Sequence, residues 1–277
     1  MHFWKYEGTG NDFAVVEALD GRPDWATPEA VRRICDRHFG VGADGVLLVE
    51  RGTAAPWFMR VLNADGSEAE ICGNGIRCVA KHVRERLGAA GDVIPIETLA
   101  GVKPCRVRLG AGGEVASVAV GLGAPVLERA RIPMAGPGDA LDVGASALGR
   151  TFVGHGVNMG NPHFVVFEPL DAEAAGRYGA VLSTSPLFPS QANVEFAEAI
   201  GPQHFRVVVY ERGCGLTMAC GSGAAATAVA AVLTRRAEPG RPVRVDLPGG
   251  PLTLTVAPDL SDVVLEGPAV RVFEGDL

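Results

Sequence analysis

The sequence has few aromatic residues and little positive charge. Aromatic side chains make up 6% of its 277 residues, and 25 Lys and Arg stand against 32 Asp and Glu. Proteins that bind single-stranded nucleic acid stack the bases on aromatic rings, and proteins that bind duplexes need clustered positive charge. The net charge of −7 and the scarcity of aromatic residues therefore argue against a nucleic-acid partner.

Long hydrophobic runs are also missing. The longest apolar stretch, Ala224–Leu233, is half of the roughly 20 residues that a membrane-spanning helix needs. The first residues, Met1–Tyr6, lack the apolar core of a secretory signal peptide. We therefore expect a cytoplasmic protein without a membrane partner, whose six cysteines are reduced.

Two of these cysteines open matching motifs. The pattern Cys-Gly-x-Gly occurs as Cys72-Gly73-Asn74-Gly75 and as Cys220-Gly221-Ser222-Gly223, each time before an apolar segment with helical features. A thiol at the start of a helix forms a thiolate easily, because the unpaired N–H groups and the helix dipole favour negative charge. Two thiols in matching settings indicate one chemistry that is carried out from two sides.

The two motifs belong to a longer internal repeat. The step from Asn11 to Cys72 matches the step from Asn161 to Cys220 within two residues. A predicted strand pair broken by glycine follows each cysteine, at 96–101 and at 245–250. The asparagine, the cysteine and the strand pair broken by glycine keep nearly the same spacing in both halves. This repeat predicts two domains of one fold in tandem, with a seam near residues 121–125.

Hydrophobic periodicity gives a coarse secondary structure. We predict a helix over Thr27–His38, and a helix after Cys72 that has one polar face and apolar residues up to Leu87. The segment after Cys220 is apolar all round and predicts a buried helix. Strands are predicted at 13–17, 46–50, 102–109, 115–120, 164–167, 205–210, 243–247 and 252–256. Each half is then short strands around one central helix.

The paired thiols favour a specific reaction. If the two halves face each other, a thiolate can remove a proton from one face of a carbon atom, and a thiol can return a proton to the other face. Backbone N–H groups at two helix starts would bind a carboxylate on that carbon and the negative charge that develops there. Inversion of an amino acid at its α-carbon fits these requirements.

At this point the chain resembles the diaminopimelate epimerase family, which interconverts LL- and meso-diaminopimelate without a cofactor. The resemblance covers nearly the whole chain in order. Its motifs are Gly8-Thr9-Gly10-Asn11-Asp12-Phe13, Gly40-Val41-Gly42-Ala43-Asp44-Gly45, Asn63-Ala64-Asp65-Gly66-Ser67, Cys72-Gly73-Asn74-Gly75-Ile76-Arg77-Cys78, Gly160-Asn161-Pro162-His163, Ala192-Asn193, Glu211-Arg212-Gly213, Ala219-Cys220-Gly221-Ser222-Gly223, Leu247-Pro248-Gly249-Gly250 and Gly267-Pro268-Ala269-Val270.

The resemblance implies an α+β fold of two pseudo-symmetric domains. Each would be a mostly antiparallel sheet or barrel wrapped around a central helix, with the active site in the cleft between them. The implied domains are 1–121, completed by a C-terminal strand within 264–277, and 122–263. The resemblance also implies a homodimer and a small-molecule substrate, diaminopimelate, with neither a cofactor nor a metal.

Roles for individual residues follow from the same resemblance. Cys72 and Cys220 would be the acid/base pair, and His163 and Glu211 would adjust the pKa values of the thiols. The reacting carboxylate would bind at Gly73, Asn74, Gly221 and Ser222. Other polar groups of the substrate would bind at Asn11, Asn63, Asn161, Asn193, Glu211 and Arg212. Arg212 can form a bidentate contact with a carboxylate, and Glu211 can pair with an ammonium group.

Some features depart from the family pattern or leave alternatives open. Cys214, Leu216 and Phe273 stand where the family usually has a small residue, Glu and a tyrosine at the dimer interface. The alternatives are a proline-type or histidine-type racemase of the same fold, a cysteine hydrolase using one thiol and His163, and a zinc-stapled binding module. The remaining cysteines, Cys35, Cys78 and Cys105, are expected to be buried core residues.

Overall fold

The computed structural model describes all residues, 1–277, in two compact units. The first unit comprises Met1–Gly121 and Glu266–Leu277, and the second comprises Leu122–Leu265. Both consist of sheet strands and two α-helices each, which confirms the α+β class. None of the helices is long and apolar enough to cross a membrane.

The first unit begins with ten elements in chain order. They are β1 (His2–Gly8), β2 (Asn11–Glu17), α1 (Pro28–Cys35), β3 (Gly45–Arg51), β4 (Trp57–Asn63), β5 (Glu68–Ala69), α2 (Gly73–Glu85), β6 (Val93–Thr98), β7 (Gly101–Leu109) and β8 (Val115–Gly121). The pairs β2–β3 and β4–β6 are parallel. The pairs β1–β2, β3–β4, β4–β5, β6–β7 and β7–β8 are antiparallel.

The second unit opens with a short 3-10 helix at Arg129–Arg131. The elements that follow are β9 (Val143–Ala147), β10 (Arg150–Asn158), β11 (Pro162–Val166), α3 (Ala172–Ser183), β12 (Asn193–Gly201), β13 (His204–Glu211), β14 (Gly215–Leu216), α4 (Gly221–Leu233), β15 (Pro242–Leu247), β16 (Gly250–Val256) and β17 (Val263–Gly267). The last strand, β18 (Val270–Asp276), belongs to the first unit and pairs antiparallel with β1 there.

The two units repeat the same order of elements. The series β1-β2-α1-β3-β4-β5-α2-β6-β7 corresponds to β10-β11-α3-β12-β13-β14-α4-β15-β16. Strand pairing also repeats, because β11–β12 and β13–β15 are parallel like their counterparts β2–β3 and β4–β6. The repeat in the sequence is therefore a repeat in the topology.

Helix α1 starts as predicted and ends early. The Thr27 hydroxyl accepts a hydrogen bond from the N–H of Ala30, and Pro28 occupies the first helical position. The predicted extension to His38 is wrong, because the helix ends at Cys35. The Asp36 carboxylate accepts the N–H groups of His38 and Phe39 at 2.7 and 2.8 Å, and these bonds hold a turn instead.

The central helices α2 and α4 are both buried. Helix α4 is apolar and enclosed on nearly all sides, as predicted. For α2 the predicted polar face is wrong, because Arg77, Lys81 and His82 are all buried with the apolar residues. Helix α2 also ends at Glu85, so Leu87 lies outside it.

Helix α3 has no counterpart among the predicted helices. Two glycines, Gly176 and Gly179, lower its helix propensity. Gly179 is required by packing, since a β-carbon there would lie 2.5 Å from Cβ of Tyr210. The helix is stabilised by burial of Ala175 and Leu182 in the aromatic-rich core of the second unit, which local sequence does not reveal.

Candidate active site

Cys72 lies at the start of helix α2. It is the N-cap residue, and its Sγ accepts the N–H of Gly75 at 3.4 Å. The next N–H groups, those of Gly73 and Asn74, have no partner within a helix at these positions. They form the positive end of the helix dipole, so the arrangement can bind an anion beside the Cys72 sulfur.

Asn11 connects the start of β2 to this thiol. Its Oδ1 accepts the Cys72 thiol at 3.8 Å and the Asn74 amide at 3.2 Å, and its own amide donates to Asp44 at 2.6 Å. The contact with Asp44 fixes which way the Asn11 amide faces. The carboxamide oxygen is thereby directed to the Cys72 thiol.

A network of charged side chains stabilises the position of Asn11. Arg37 donates to both Asp12 and Asp44 at 2.7 Å, and Lys5 forms an ion pair with Asp12 at 2.5 Å. Burial would raise the pKa of Asp12, but the hydrogen bonds from Arg37 and Lys5 outweigh it and lower the pKa to about 2. The network therefore keeps the Asp12 carboxylate ionised at neutral pH and, through the contact of Asp44 with the Asn11 amide, holds Asn11 in place.

Arg77 is a buried cation on α2. Its side chain is fully buried, and its guanidinium donates to neutral oxygens of Thr9, Asn74, Gly73 and Pro268 at 2.9 to 3.2 Å. Burial lowers the pKa of Arg77, and the nearby thiols of Cys78 and Cys72 oppose that shift. Arg77 therefore places a positive charge next to the thiol-bearing end of α2.

Asn63 ends strand β4 on a neighbouring turn. Its amide donates to the Ser67 hydroxyl at 2.9 Å, and the adjacent Ala64 N–H donates to the Asp44 carbonyl at 3.1 Å. Asp44 thus connects the Asn63 turn to Asn11. In the first unit the structure brings Asn11, Cys72 and Asn74 into direct contact and places Asn63 in the next turn.

Cys220 occupies the equivalent position on α4. Its Sγ accepts the N–H of Gly223 at 3.3 Å and lies 3.5 Å from the Ser222 hydroxyl. The N–H groups of Gly221 and Ser222 are the unpaired ones at this helix start. Burial raises the pKa of the Cys220 thiol well above its usual value, and the carboxyl groups of Glu211 and Glu195 add to the shift.

His163 and Asn161 meet near the start of strand β11. His163 is fully buried, and its Nε2 lies 2.9 Å from the Asn161 Oδ1. Its Nδ1 lies 2.7 Å from Oε1 of Glu195 on the neighbouring strand β12. Glu195 is also fully buried, and burial raises its pKa although His163 opposes the shift.

The remaining predicted residues of the second unit lie at the ends of β12 and β13. The Asn193 side chain donates to the Pro162 carbonyl and accepts the Arg212 N–H, each at 3.0 Å. The Arg212 side chain is exposed, and its guanidinium donates to the Ser190 carbonyl. The Thr217 hydroxyl donates to Glu211 at 2.6 Å, which fixes that carboxylate near the helix start.

The other cysteines differ from these two. Cys35, Cys78 and Cys105 are buried as expected, and burial raises their pKa values to about 11, 12 and 12. Cys214 is exposed in the turn between β13 and β14. The structure contains no cluster of three or more His, Cys, Asp or Glu side chains that could hold a metal ion.

Comparison with known proteins resolves the family. The family model described as diaminopimelate epimerase matches residues 3–127 and 156–272. The chain belongs to the diaminopimelate epimerase family. Two relatives that carry this name, from Moorella thermoacetica and Desulforudis audaxviator, are each 47% identical. The alignments cover 100% and 99% of this chain, and 99% and 98% of the relatives.

Solved structures of more distant proteins share the fold of this diaminopimelate epimerase family member. A probable proline racemase from Agrobacterium radiobacter matches with a TM-score of 0.72 at 15% identity, covering 100% of this chain and 92% of that one. A hydroxyproline epimerase from Agrobacterium vitis matches with a TM-score of 0.70 at 18% identity, covering 99% and 91%. At these identities the likeness establishes the fold.

Two buried residues of this family member escaped the sequence analysis as site residues. The motif that contains Arg77 predicts no role for its side chain, and Glu195 lies outside the motifs. Both could have been noticed, because each is a charged residue inside an apolar segment. Glu195 lies between Val194 and Phe196 in a strand, and Arg77 follows Ile76 in a helix. An ionisable side chain in such a place is buried only where hydrogen bonds or loss of its charge compensate for the loss of water.

Proposed function

We propose that the chain epimerises LL-diaminopimelate to meso-diaminopimelate without a cofactor, using Cys72 and Cys220 as the two bases. One observation carries the proposal. Each unit begins its central helix with a cysteine whose sulfur accepts the third helical N–H, beside N–H groups that are free to bind an anion. Membership of the diaminopimelate epimerase family supplies the substrate.

In the proposed reaction, the thiolate of one cysteine removes the proton from the α-carbon. The electron pair stays on that carbon and spreads into the adjacent carboxylate, where helix N–H groups bind the growing negative charge. The thiol of the other cysteine then gives its proton to the opposite face, and its sulfur becomes the thiolate. The reaction requires both sulfurs to reach one carbon, and it leaves their protonation states exchanged.

The remaining residues are proposed to bind the substrate and tune the thiols. Gly73, Asn74, Gly221 and Ser222 hold the reacting carboxylate through the helix starts. The other contacts to the substrate come from Asn11, Asn63, Asn161, Asn193, Glu211 and Arg212. Arg212 suits a carboxylate and Glu211 suits an ammonium group, so together they match the distant amino-acid end of diaminopimelate. His163 and Glu211 act on the pKa values of the thiols.

The decisive test is a chiral assay on LL-diaminopimelate in heavy water, with a metal chelator present and no cofactor added. We expect meso product that carries deuterium at the inverted α-carbon. Inversion without deuterium would refute the proton-transfer mechanism. Parallel incubations with the enantiomers of proline and histidine test the alternative racemases, and turnover of those compounds alone would overturn the substrate assignment. A covalent acyl-enzyme in the mass spectrum would favour the cysteine hydrolase.

We propose further that the protein is a cytoplasmic homodimer. Support for the dimer comes from strand β18, where Val270, Val272 and Phe273 are 45%, 56% and 48% exposed. Exposed apolar side chains in one strand mark an association surface. Sedimentation equilibrium should give twice the chain mass, and Phe273→Asp should shift it toward the monomer. A wild-type monomer at micromolar concentration would refute the dimer, and recovery of the native protein outside the cytoplasmic fraction would refute the location.

A further inference from the structure

A buried carboxyl–imidazole pair lies in the second unit. Glu195 and His163 are both fully buried, and Oε1 of Glu195 lies 2.7 Å from Nδ1 of His163. On the other side of the ring, Nε2 lies 2.9 Å from Oδ1 of Asn161. A carboxamide oxygen can only accept hydrogen bonds, so Nε2 must carry a proton and donate it to Asn161. The open question is which atom carries the proton between Nδ1 and Oε1.

The surroundings of the second carboxyl oxygen of Glu195 indicate where this proton lies. Oε2 of Glu195 is buried and has no hydrogen-bond partner. An ionised carboxylate would place part of its charge on this unsolvated oxygen, at a high cost in free energy. A neutral carboxylic acid leaves only a carbonyl-like oxygen there, which costs much less. With the proton on Oε1, the acid donates to Nδ1 of a neutral imidazole and every other polar atom of the pair is satisfied.

The surrounding charges act in the same direction. The charge of the nearby Glu211 carboxyl group opposes ionisation of Glu195, while His163 and, to a smaller extent, a backbone hydrogen bond of Glu195 itself favour it. Burial is the largest contribution and raises the pKa of Glu195. By contrast, the pKa shifts resolved for other carboxyl groups, such as Asp12 and Glu97, are all downward.

We infer that Glu195 is a protonated carboxylic acid that donates to His163, and that it acts through His163 as a positioning residue for Asn161. With Nδ1 occupied as an acceptor, the ring donates only from Nε2. That bond takes up the Asn161 oxygen and leaves the Asn161 amide group as a donor. A donor is what a substrate carboxylate or carbonyl needs, so the effect of Glu195 on turnover rests on the proposed function.

The first turn of helix α4 closes against the same carboxyl group. A β-carbon at Gly223 would lie 2.7 Å from Oε1 of Glu195 and 3.3 Å from Sγ of Cys220. Only glycine fits between the two groups without displacing one of them. A neutral Glu195 can therefore lie beside the helix start without adding a full negative charge next to Cys220.

Infrared difference spectroscopy tests the protonation directly and needs no substrate. The spectrum of Glu195→Gln is subtracted from that of the wild-type protein in heavy water at neutral pH. We expect a carboxylic-acid C=O band that the variant lacks. The matched control is Glu198→Gln on the same strand, whose partly exposed carboxylate pairs with Arg206 and should contribute no such band. Absence of the band from the wild-type protein would overturn the inference, even if the enzyme is fully active.

Kinetics test the positioning role. Gln can donate its amide N–H to Nδ1 and place its oxygen where Oε2 lies, so Glu195→Gln should retain most of the activity that Glu195→Ala loses. For Glu195→Ala we expect kcat/KM to fall roughly 10²-fold, mainly through KM, because Asn161 loses its orientation. Wild-type kinetics in Glu195→Ala, or an equal loss in both variants, would refute the role. Circular dichroism separates these outcomes from misfolding, and Glu195→Gln keeps the test valid if Glu195→Ala does not fold.

Discussion

Helices α2 and α4 start identically and have opposite surroundings. Both are capped by a cysteine sulfur that accepts the third helical N–H, at 3.4 Å from Gly75 and 3.3 Å from Gly223. Helix α2 then buries three basic side chains, whereas α4 buries almost only alanine and valine. The groups that act on the thiols differ in sign, with the Arg77 guanidinium beside Cys72 and the Glu211 carboxyl group acting on Cys220.

The difference shows which parts of a repeated site are constrained. The backbone part is the same in both units, because each central helix begins with the same Cys-Gly-x-Gly motif and the same N–H to sulfur contact. The side-chain part diverges, and it gives the two sulfurs different charged neighbours. A buried cation favours negative charge on a neighbouring sulfur, while burial and carboxyl groups disfavour it. The two-base reaction needs one sulfur ionised while the other carries a proton, and each turnover exchanges these two states.

Removing either sulfur should have the largest effect. In Cys72→Ala and in Cys220→Ala one face of the α-carbon has no proton donor or acceptor, so we expect epimerisation to fall at least 10²–10⁴-fold. The chiral assay with LL-diaminopimelate measures this loss. Cys214→Ser, at an exposed position in the turn between β13 and β14, is the matched control and should turn over normally. Full epimerisation by either alanine variant would show that the reaction does not need both sulfurs, and that the two helix starts do not share one role.

Replacing the buried cation should have the next largest effect. Arg77→Met leaves the oxygens of Thr9, Asn74 and Pro268 without their donor. Hydrogen bonds to a charged group contribute roughly 1.5–3 kcal/mol each, and partial rearrangement reduces the total, so we expect a loss of about 4 kcal/mol in unfolding free energy. Urea denaturation followed by tryptophan fluorescence measures it, because Trp4, Trp25 and Trp57 all lie in the first unit.

Variants of the same residue test whether the charge of Arg77 acts on the Cys72 sulfur. Arg77→Lys keeps the charge and loses part of the hydrogen-bond network. In a Cys220→Ala background, iodoacetamide should alkylate Cys72 more slowly in Arg77→Met than in Arg77→Lys. Equal rates in the two variants would show that the charge of Arg77 does not act on the sulfur, and the contrast between α2 and α4 would then be one of packing alone.

The sequence predicted the shared part of the two sites better than the part that differs. The Cys-Gly-x-Gly starts and the order of strands depend on local signals, which repeat with the topology. Arg77 and Glu195 depend on partners far away in the sequence, such as Pro268 and His163. A charge in an apolar segment is ordinarily assigned to the surface, so the polar face predicted for α2 was wrong. The early end of α1 similarly depended on the carboxylate of Asp36, which competes with the next helical turn.

Acid should lower the unfolding free energy of the first unit, because α2 contains a buried histidine and α4 contains none. His82 on α2 is fully buried between Tyr6 and Glu17, and burial together with Arg86 and Arg271 lowers its pKa to about 4. In the unfolded chain the pKa is about 6.5, so the unfolded state binds the proton first. The stability contribution is complete above pH 6.5 and is lost as the pH falls toward 4, by about 3 kcal/mol.

Urea titrations monitored by tryptophan fluorescence between pH 7 and pH 4 measure this loss. His82→Gln should show a shallower dependence on pH over that interval, and His38→Gln, at an exposed position after α1, should keep the wild-type slope. An unchanged slope in His82→Gln would assign the acid sensitivity to carboxyl groups, and the titratable interior of α2 would then have no bearing on stability.

The smallest predicted effect is a difference in stability between alanine variants of Gly75 and Gly223. Both glycines donate their N–H to the capping sulfur, but they have different neighbours. A β-carbon at Gly75 would meet the flexible Leu47 methyl groups at 3.2 Å, whereas one at Gly223 would meet Glu195 at 2.7 Å and Cys220 at 3.3 Å. Alanine has a helix propensity up to about 1 kcal/mol better than glycine, so Gly75→Ala should be nearly neutral. Gly223→Ala should lose about 1–2 kcal/mol of unfolding free energy, because overpacking outweighs that gain, and should reduce kcat/KM by displacing Glu195. Thermal unfolding and the chiral assay on both variants check this; equal effects would mean that the contact between Glu195 and the start of α4 does not constrain the second unit.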